Sequence, residues 1–514
     1  MLGGLEPSTS RASGVPPAGR KSTARVTDVS LAVISPREPA VEHDQTPPDT
    51  PPAGRADFVV VANRLPVRLE DDGSWALSPG GLVSAMLPVM RDRSGSWVGW
   101  DGSDDGEAQR FDFEGITLSA LALSRQEREE YYGGACNETI WPLFHDAIET
   151  TQFHRETWAA YRTVNQRFAD AACAELAEGG TVWVHDYQLQ LVPRMIREQR
   201  PDVRIGFYLH IPFPPLELFS RLPWRAELLA GLLGADVIGV QTQADARNVL
   251  YGVRRFCEVD DLTFAGDGGV VRTGRETSVV KAFPISVDYE AIAEQAATDE
   301  VELAVKELRK ELGDPEHVLL GVDRLDYTKG IDLRLKAIHE LLMEHRLDPK
   351  STAVIQVAVP SREDVQGYDS VRNRVEQLVG TINGDYGQLG RPVVQYIHKS
   401  LPFSELLVLY RAADVLLVTP FQDGMNLVAK EYVAARVDDT GALVLSEFAG
   451  AAEELSEAFL VNPYDTEHLK EQIAAAVSMD DDEQRSHMHA MRDTVQRNDL
   501  AAWATAFLAL LSIS

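Results

Sequence analysis

The chain has 514 residues, of which 44% are hydrophobic and 25% carry a charge, and its formal net charge is −30. This length and composition are those of an ordinary globular protein with two or three domains and substantial cores. The excess of negative charge argues against nucleic acid or an anionic membrane as a partner, because phosphate polymers need a basic surface. A cleft for anionic small molecules must therefore collect its own arginine and lysine side chains.

The three cysteines, Cys136, Cys173 and Cys257, lie far apart in the chain and show no CxxC spacing. A disulfide framework or a zinc site is therefore not expected, and the pattern fits a reducing cytoplasm. No apolar run is long enough to predict a transmembrane helix. The N-terminus lacks the apolar region of a signal peptide, so we expect a cytoplasmic protein.

Residues 1–56 are rich in proline, serine, glycine, alanine and charge, and they predict a disordered tail. Order is expected to begin with a strand at residues 58–61, after which strand-like and helix-like patterns alternate. In the first series the predicted strands are 181–185, 203–210, 235–241 and 279–285, and the predicted helices are 190–199, 244–256 and 301–312. In the second series the predicted strands are 318–322, 352–359, 393–398, 415–419 and 442–445, and the predicted helices are 331–346, 371–382, 405–412 and 427–435.

This alternation predicts an α/β fold in which helices cover parallel sheets. Because two series of similar size meet near residues 286–290, we expect two α/β domains, 57–285 and 286–480. The final segment, 481–514, predicts an amphipathic helix that packs back toward the first domain.

Polar motifs follow the predicted strands in both halves of the chain. They are Asn63-Arg64, His185-Asp186, His210-Ile211-Pro212, Asp323-Arg324, Ser361-Arg362 and Asp423-Gly424. Ligands of such folds bind beyond the carboxyl ends of the strands, so these motifs indicate one cleft between the two domains.

Two segments of the second half suit an anionic ligand. The first covers residues 423–432, where a glycine turn leads into a helix N-terminus whose backbone N–H groups can bind an anion or sugar hydroxyls. There Asp423 is an acceptor at the turn, and Glu431 lies about a turn and a half into the helix. The second covers residues 321–330, with Arg324 and Lys329 after a strand. Together they predict a nucleotide-sugar site.

Seven segments in this order resemble those of the trehalose-6-phosphate synthase family, glycosyltransferase family 20, in its bacterial form. They are residues 61–66, 79–82, 97–100, 183–187, 210–214, 324–330 and 423–432, and the resemblance covers roughly residues 58–500. It implies the GT-B fold, with two Rossmann-like parallel-sheet domains facing across a cleft. It also implies a retaining transfer of glucose from a nucleoside diphosphate glucose to glucose 6-phosphate, which yields α,α-trehalose 6-phosphate in trehalose biosynthesis.

The resemblance assigns the donor side of the cleft. Arg324 and Lys329 correspond to the pair that grips the donor diphosphate, where fixed cations stabilise the charge of the leaving group. As an isolated pair they would be surface cations. His210 is expected beside the donor glucose and not as a general base, and a neutral histidine at the core edge is its alternative. Among the other donor positions, Gly80 and Gly81 are expected near the phosphates, and Asp423, with the N–H groups of Met425 and Asn426, at the glucose hydroxyls. Glu431 is expected at the ribose and Leu401 at the base. The remaining donor positions are Leu427, Val428 and Ala429, in the first helical turn, and Lys430. For Gly80 and Gly81 the alternative is a plain turn, and for Lys430 an ordinary helix surface.

The acceptor side is assigned in the same way. Arg64 and Arg362 resemble the clamp on the phosphate of glucose 6-phosphate, since arginine presents paired donors that match phosphate oxygens. Tyr132 would bond the same phosphate, and Asp186 a sugar hydroxyl. Taken singly, these residues could instead be surface ion pairs, a half-buried tyrosine and a helix cap. The resemblance also places Trp141 and Ile211 where the acceptor subsite selects one anomer, although Trp141 alone could be a core residue.

Retention of configuration in glycosidases uses two carboxylates about 5 Å apart, and no carboxylate here is a clear nucleophile. The resemblance implies front-side attack instead, with closure of the two domains and without a metal ion or other cofactor. The expected partners are small-molecule substrates and further copies of the chain, as a dimer or tetramer. The donor nucleotide (uridine, adenosine or guanosine) cannot be read from these residues.

Two alternatives stay open at this point. The first is a related transferase with another acceptor, such as glycerol 3-phosphate or a cyclitol phosphate. A reading similar to glycogen phosphorylase is weaker, because it needs a pyridoxal phosphate lysine and a much longer chain. The second is a silent regulatory subunit that binds sugar phosphates without turnover. The full set of charged site residues disfavours that reading.

Overall fold

The computed structural model of the protein describes residues 54–69, 74–78, 83, 86–87, 90–91, 93, 95–360 and 368–513, all within the compact unit Gln45–Ser514. The predicted disordered tail therefore falls almost entirely outside the described residues. None of the helices in this part of the chain is both long and apolar enough to cross a membrane.

The strands, in chain order, are β1 (Ala56–Arg64), β2 (Val67–Leu69), β3 (Trp75–Leu77), β4 (Ser96–Asp104), β5 (Gln109–Phe113), β6 (Ile116–Leu123), β7 (Leu176–His185), β8 (Arg204–Tyr208), β9 (Val237–Val240), β10 (Asp261–Ala265), β11 (Gly268–Thr273), β12 (Glu276–Ala282), β13 (His317–Arg324), β14 (Thr352–Val359), β15 (Val394–Ile397), β16 (Val415–Val418), β17 (Ala442–Ser446) and β18 (Phe459–Val461). The helices are Arg125–Glu127, the π-helical Arg128–Ile140, Trp141–Phe144, Arg155–Glu175, Val192–Gln199, Leu216–Phe219, Arg225–Leu232, Gln243–Phe256, Tyr289–Ala296, Asp299–Glu311, Ile331–Met343, Tyr368–Tyr386, Phe403–Ala412, Leu427–Ala435, Thr466–Ser478, Asp481–Arg497 and Leu500–Ile513.

The first half of the chain forms one large sheet with strand order β10-β11-β12-β9-β8-β7-β1-β4-β6-β5. The strands from β12 to β6 are parallel, whereas β10, β11 and β5 pair antiparallel at the edges. The central strand β1 is buried from Phe58 to Asn63, as a strand covered by helices on both faces must be. The chain builds outward from β1 to β6 and then restarts beside β1 at β7, so the strand order reverses between β1 and β7.

The second half forms a six-stranded parallel sheet with order β15-β14-β13-β16-β17-β18. Numbered within the sheet, this is the order 3-2-1-4-5-6 of a doubly wound nucleotide-binding fold. The order reverses between β13 and β16, which opens a crevice at the carboxyl ends of these two strands. Each sheet has its own buried apolar cluster. The predicted α/β class with two parallel sheets is confirmed.

The last two helices connect the two halves. The segment predicted as one amphipathic tail forms two helices, Asp481–Arg497 and Leu500–Ile513. The second helix contacts β8 and β9 of the first sheet, and its Phe507 ring stacks on Trp183 of β7 with centroids 4.3 Å apart. The chain thus returns to the first sheet after completing the second.

The sequence patterns did not predict every strand of the first sheet. Strands β4, β5 and β6 and the hairpin β10–β11 were not predicted. Strand β4 contains the motif Trp97-Val98-Gly99-Trp100, whose glycine weakens a strand pattern. In the fold this glycine is required, because a Cβ at Gly99 would lie 2.6 Å from the backbone of Arg64 and Leu65.

Candidate active site

A cavity of about 340 Å³ lies at the carboxyl ends of β13 and β16 and is bordered on its other side by residues of the first half of the chain. Its lining residues come from both halves: His210, Gln241, Ile285, Val322, Asp323, Arg324, Lys329, Asp423, Met425, Asn426, Leu427 and Val428. The cavity therefore occupies the reversal point of the second sheet, where open α/β sheets bind their ligands.

Arg324 is the last residue of β13 and reaches toward the first half of the chain. Its guanidinium carbon lies 5.0 Å from the centre of the Trp141 ring, a distance typical of a cation–π contact. Trp141 is buried and stacks on His145, with ring centroids 3.9 Å apart. Burial lowers the pKa of His145 to about 4, so this ring is neutral at pH 7. The predicted donor cation and the predicted acceptor wall thus meet across the cleft.

Lys329 is placed by a tight turn after β13. The side chain of Asp326 accepts hydrogen bonds from the amide and hydroxyl of Thr328, both at 2.9 Å. Gly330 follows with φ of +64°, and a Cβ there would lie 2.5 Å from the carbonyl oxygen of Thr419, so the turn requires glycine. The result is a nearly buried lysine that points into the cavity.

Lys329 and Asp423 form an ion pair inside the cavity. The Nζ of Lys329 lies 2.6 Å from Oδ2 of Asp423, and the two side chains are 9% and 15% exposed. The amide of Asn426 donates to the same oxygen at 3.0 Å. Burial by itself would raise the pKa of Asp423, but the opposing effects of Lys329 and Asn426 outweigh it and the pKa is lowered. Asp423 is therefore an ionised acceptor at neutral pH.

The N-terminus of helix Leu427–Ala435 faces the cavity. Asn426 adopts the left-handed conformation, with φ of 77°, and its side-chain oxygen accepts from the amide of Ala429. Leu427 and Val428, whose amides belong to the same first turn, line the cavity. An exposed helix N-terminus presents N–H groups and a partial positive charge, which suits a phosphate or a sugar hydroxyl.

His210 enters the cavity from the first sheet and is held by its neighbours. Its Nε2 lies 3.2 Å from Nδ1 of the buried His185, and its backbone N–H donates to Asp186 at 3.2 Å. Gln241 donates to the backbone carbonyl of His210 at 3.2 Å. Burial lowers the pKa of His210, and lowers that of His185 well below its usual value, so neutral pH favours the uncharged form of His210. Ile211 follows it in the chain and is buried.

The predicted acceptor residues Arg64 and Tyr132 lie together at the end of β1. The Arg64 guanidinium lies 3.9 Å from the centre of the Trp100 ring, and the Tyr132 ring lies against the same tryptophan with centroids 6.3 Å apart. Desolvation on the packed side lowers the pKa of Arg64, while Tyr132 and Asp101 act in the opposite direction. Of the remaining predicted site residues, the acceptor residue Arg362 and the donor residues Gly80 and Gly81 lie outside the described residues.

Lys430 is not the surface residue that the sequence alternative suggested. Its side chain is 1% exposed. Its Nζ donates to the carbonyl of Ile285, at 2.8 Å, and to the Glu454 carboxylate. Burial lowers the pKa of Lys430, and Glu454 opposes that effect. The helix N-terminus lines the cavity, whereas Lys430 is not among the lining residues and its ammonium bonds Ile285 and Glu454.

The two remaining predicted donor residues are Glu431 and Leu401. Glu431 accepts a hydrogen bond from the hydroxyl of Tyr410 at 2.8 Å, and burial raises the pKa of its carboxyl group. Leu401 lies in the loop before helix Phe403–Ala412. Among the described residues, no three His, Cys, Asp or Glu side chains are grouped as ligands of a metal ion.

Several residues of the cavity were not singled out from the sequence. Gln241 directly follows β9 and could have been found by the same strand-end rule that found the other motifs. Ile285 and Val322 are apolar and carried no signal. Asp323 was noted only as the residue before Arg324, although it lines the cavity.

Comparison with known proteins gives a consistent result. The family model for glycosyltransferase family 20 matches residues 56–513. The trehalose-6-phosphate synthase of Mycolicibacterium smegmatis is 49% identical over 468 residues, which cover 90% of this chain and 93% of that protein. The trehalose-6-phosphate synthase of Mycobacterium tuberculosis H37Rv is 51% identical over 482 residues, covering 90% and 96%.

Solved structures share the fold. The α,α-trehalose-phosphate synthase (UDP-forming) of Burkholderia xenovorans, in complex with glucose 6-phosphate, is 33% identical, with a TM-score of 0.82 and coverage of 89% of this chain and 100% of that chain. An Escherichia coli structure described as trehalose-6-phosphate bound with UDP-2-fluoro glucose is 35% identical, with a TM-score of 0.81 and coverage of 88% and 98%.

Proposed function

Because this chain belongs to glycosyltransferase family 20, we propose that it transfers glucose from UDP-glucose to glucose 6-phosphate and releases UDP. The product is α,α-trehalose 6-phosphate. The cavity at the reversal point of the second sheet carries this proposal, since Arg324, Lys329, Asp423 and a helix N-terminus converge there. The ligands named for the two solved relatives are a UDP-sugar analogue and glucose 6-phosphate. ADP-glucose is the second donor to test.

In the proposed reaction the donor diphosphate binds against Arg324, Lys329 and the helix N-terminus. Because the diphosphate gains charge as the bond to the glucose C1 breaks, cations fixed before the reaction stabilise the transition state more than the bound substrate. Lys329 is paired with Asp423 in the free protein. The diphosphate would compete for that lysine, which leaves Asp423 and the N–H groups of Met425 and Asn426 to bind the glucose hydroxyls.

The chemistry of the cavity favours front-side attack with retention. Two carboxylates line the described cavity, and both are ion-paired, Asp423 with Lys329 and Asp323 with Arg334. Neither is placed as the free nucleophile of a double displacement. We propose that the C1–O bond to the phosphate breaks as the acceptor hydroxyl oxygen bonds to C1. The departing phosphate oxygen takes the acceptor proton, and neutral His210 orients the sugar.

On the acceptor side, Arg64 and Tyr132 are proposed to bind the phosphate of glucose 6-phosphate together with Arg362. The arginine is held on Trp100, so little conformational freedom is lost when the phosphate binds. Asp186 is proposed for a sugar hydroxyl, and Trp141 and Ile211 for the shape that selects one anomer.

We also propose that the enzyme needs no metal ion, because Arg324 and Lys329 supply the positive charge that a cation would bring. A cytoplasmic homo-oligomer, a dimer or tetramer, completes the proposal. Turnover that persists in the presence of EDTA would support the absence of a metal requirement. Light scattering on the purified protein measures its oligomeric state.

The experiment is an assay of nucleoside diphosphate release. The protein receives glucose 6-phosphate with UDP-, ADP- or GDP-glucose in separate reactions, and NMR identifies the sugar product. Release that depends on glucose 6-phosphate and gives an α,α-1,1 linkage is expected with UDP-glucose. Donor binding without release, in the presence of glucose 6-phosphate, would contradict the proposal and favour another acceptor or a silent subunit.

A further inference from the structure

We propose that Arg334, a buried residue outside the cavity lining, is a positioning residue of the donor site that supplies its net positive charge. It does so by cancelling the charge of Asp323 in the cavity wall. This inference rests on the proposed function, because it concerns the binding of a nucleoside diphosphate in that cavity.

Arg334 lies behind the cavity wall, on helix Ile331–Met343. Its side chain is 1% exposed, and Nη1 donates to Oδ2 of Asp323 at 2.6 Å. The same group donates to Gln356 Oε1 at 3.1 Å, and Nε donates to the hydroxyl of Thr419 at 3.0 Å. A Cβ at Gly321 would lie 2.4 Å from Nη1 of Arg334 and 2.5 Å from Oε1 of Gln356, so any larger residue there would displace these two side chains. One arginine thus links the carboxyl end of β13, the middle of β14 and the residue that follows β16.

The charges in the described lining cancel without Arg334. Arg324 and Lys329 are the two cations of that lining, and Asp323 and Asp423 are its two carboxylates. A nucleoside diphosphate carries several negative charges, so side chains with no net charge would leave most of the attraction to the helix N-terminus. The chain as a whole has a net charge of −30, which opposes anion binding further. Arg334, directly behind Asp323, makes the sum of these side-chain charges positive, and it adds to the partial positive charge of the helix N-terminus.

Burial makes this arrangement effective. Asp323 is 5% exposed and Arg334 is 1% exposed, so solvent and salt screen their charges much less than those of surface groups. An Asp323 carboxylate without its partner would act on a diphosphate held by the adjacent Arg324. With an effective dielectric constant of about 20, one unpaired charge at the distance of a cavity wall changes anion affinity on the order of tenfold.

A purely structural role would make a different prediction, and the chain offers a matched control. Arg309 donates to Asp414 at the opposite ends of the same strands, with Nη1 3.0 Å from Oδ2. That carboxylate accepts from the amide of Val318 at the start of β13. Arg309→Met therefore removes an arginine that braces β13 and β16 without changing the charge near the cavity.

The test compares binding of UDP, by isothermal titration, to wild type, Arg334→Met, Asp323→Asn, the double variant and Arg309→Met. Thermal unfolding of each protein is measured alongside. We expect Arg334→Met to weaken UDP binding on the order of tenfold or more, and Arg309→Met to leave it unchanged. We expect Asp323→Asn to bind UDP at least as tightly as wild type, because it removes a negative charge. In the double variant, binding should recover to near the wild-type value.

The double variant and Asp323→Asn distinguish an electrostatic role of Arg334 from a purely structural one. If the network only holds the strands, both variants would bind UDP more weakly than wild type, and that result would overturn the inference. Because Asp323→Asn keeps the arginine, it tests the sign of the effect even if Arg334→Met does not fold. Wild-type protein that turns over UDP-glucose while Arg334→Met binds UDP normally would refute this inference alone. Wild-type protein that binds no UDP would refute the proposed donor and this inference together.

Discussion

Lys329 is the residue whose removal tests the proposed chemistry most directly, and Lys329→Met is the informative change. Methionine keeps a long, unbranched side chain in a place where the lysine is 9% exposed. It removes the ammonium that lies 2.6 Å from Asp423. The apolar part of the side chain can still pack, so the variant isolates the loss of charge from the loss of volume.

This substitution has two separate effects, one on the rate of the reaction and one on the stability of the fold. In the transition state the leaving diphosphate loses one of two fixed cations, which should cost about 3 kcal/mol, or roughly a hundredfold in kcat. In the free protein Asp423 keeps the Asn426 amide but loses its charged partner. Removing one partner of a buried ion pair costs about 3 kcal/mol of stability, and the residual exposure and the Asn426 hydrogen bond should reduce that cost.

The loss of stability should also depend on pH. In wild type the pKa of Asp423 is lowered, so its contribution to stability is present above the ordinary aspartate pKa and is lost as the pH falls through the lowered value. In Lys329→Met burial remains without the opposing ammonium, so the pKa should rise and acidification should relieve the cost. The difference in unfolding free energy between the two proteins is therefore expected to narrow as the pH approaches 4.

The assay is glucose 6-phosphate-dependent release of UDP, with kcat and KM measured for both substrates and thermal unfolding followed from pH 7 to pH 4. Lys470→Met is a suitable control, since Lys470 is 2% exposed and pairs with Glu340, Glu344 and Glu467 away from the cavity. The control should keep its kcat. If Lys329→Met folds and keeps a near-normal kcat, Lys329 does not stabilise the transition state and is not a catalytic residue.

Three further predictions address the contacts around the cavity. Gly424→Ala should lower kcat at least tenfold while leaving the circular dichroism spectrum unchanged. The reason is that a Cβ there would collide with the carbonyl of His210 and push the two halves of the chain apart. Normal turnover would show that the contact between Gly424 and His210 can widen without loss of activity. Because burial lowers the pKa of His210 and His185, any loss of kcat through protonation of His210 should be centred below pH 6.5. A fall centred at pH 6.5 or above would show that His210 titrates as an ordinary histidine. Lys430→Met should lower the melting temperature and leave kcat nearly unchanged, because its ammonium bonds Glu454 and Ile285. A large loss of kcat with an unchanged melting temperature, in paired unfolding and kinetic measurements, would support the predicted donor-binding role of Lys430 instead.

The sequence by itself was sufficient for the fold class and for the elements that carry the donor site. The strands β13, β14 and β16 are nearly continuous apolar runs, interrupted inside β14 by Gln356, which is the pattern of strands buried on both faces. Helix Leu427–Ala435 begins and ends where the pattern predicted. The residues that follow these strands could therefore be placed at one edge of a sheet, and Arg324, Lys329 and Asp423 do line one cavity. Strand-end position and turn chemistry are local properties, so they are readable from the chain.

Only the tertiary structure decided which neighbours of these residues face the cavity and which support it from behind. Lys430 is next to cavity-lining residues in the sequence, but its partner Ile285 is 145 positions away. Asp323 looked like an incidental neighbour of Arg324 until Arg334, Gln356 and Thr419 were found around it. A buried charge is defined by the groups that neutralise it. When the neutralising groups come from other strands or from the other half of the chain, no local sequence pattern can show that a charged residue is buried.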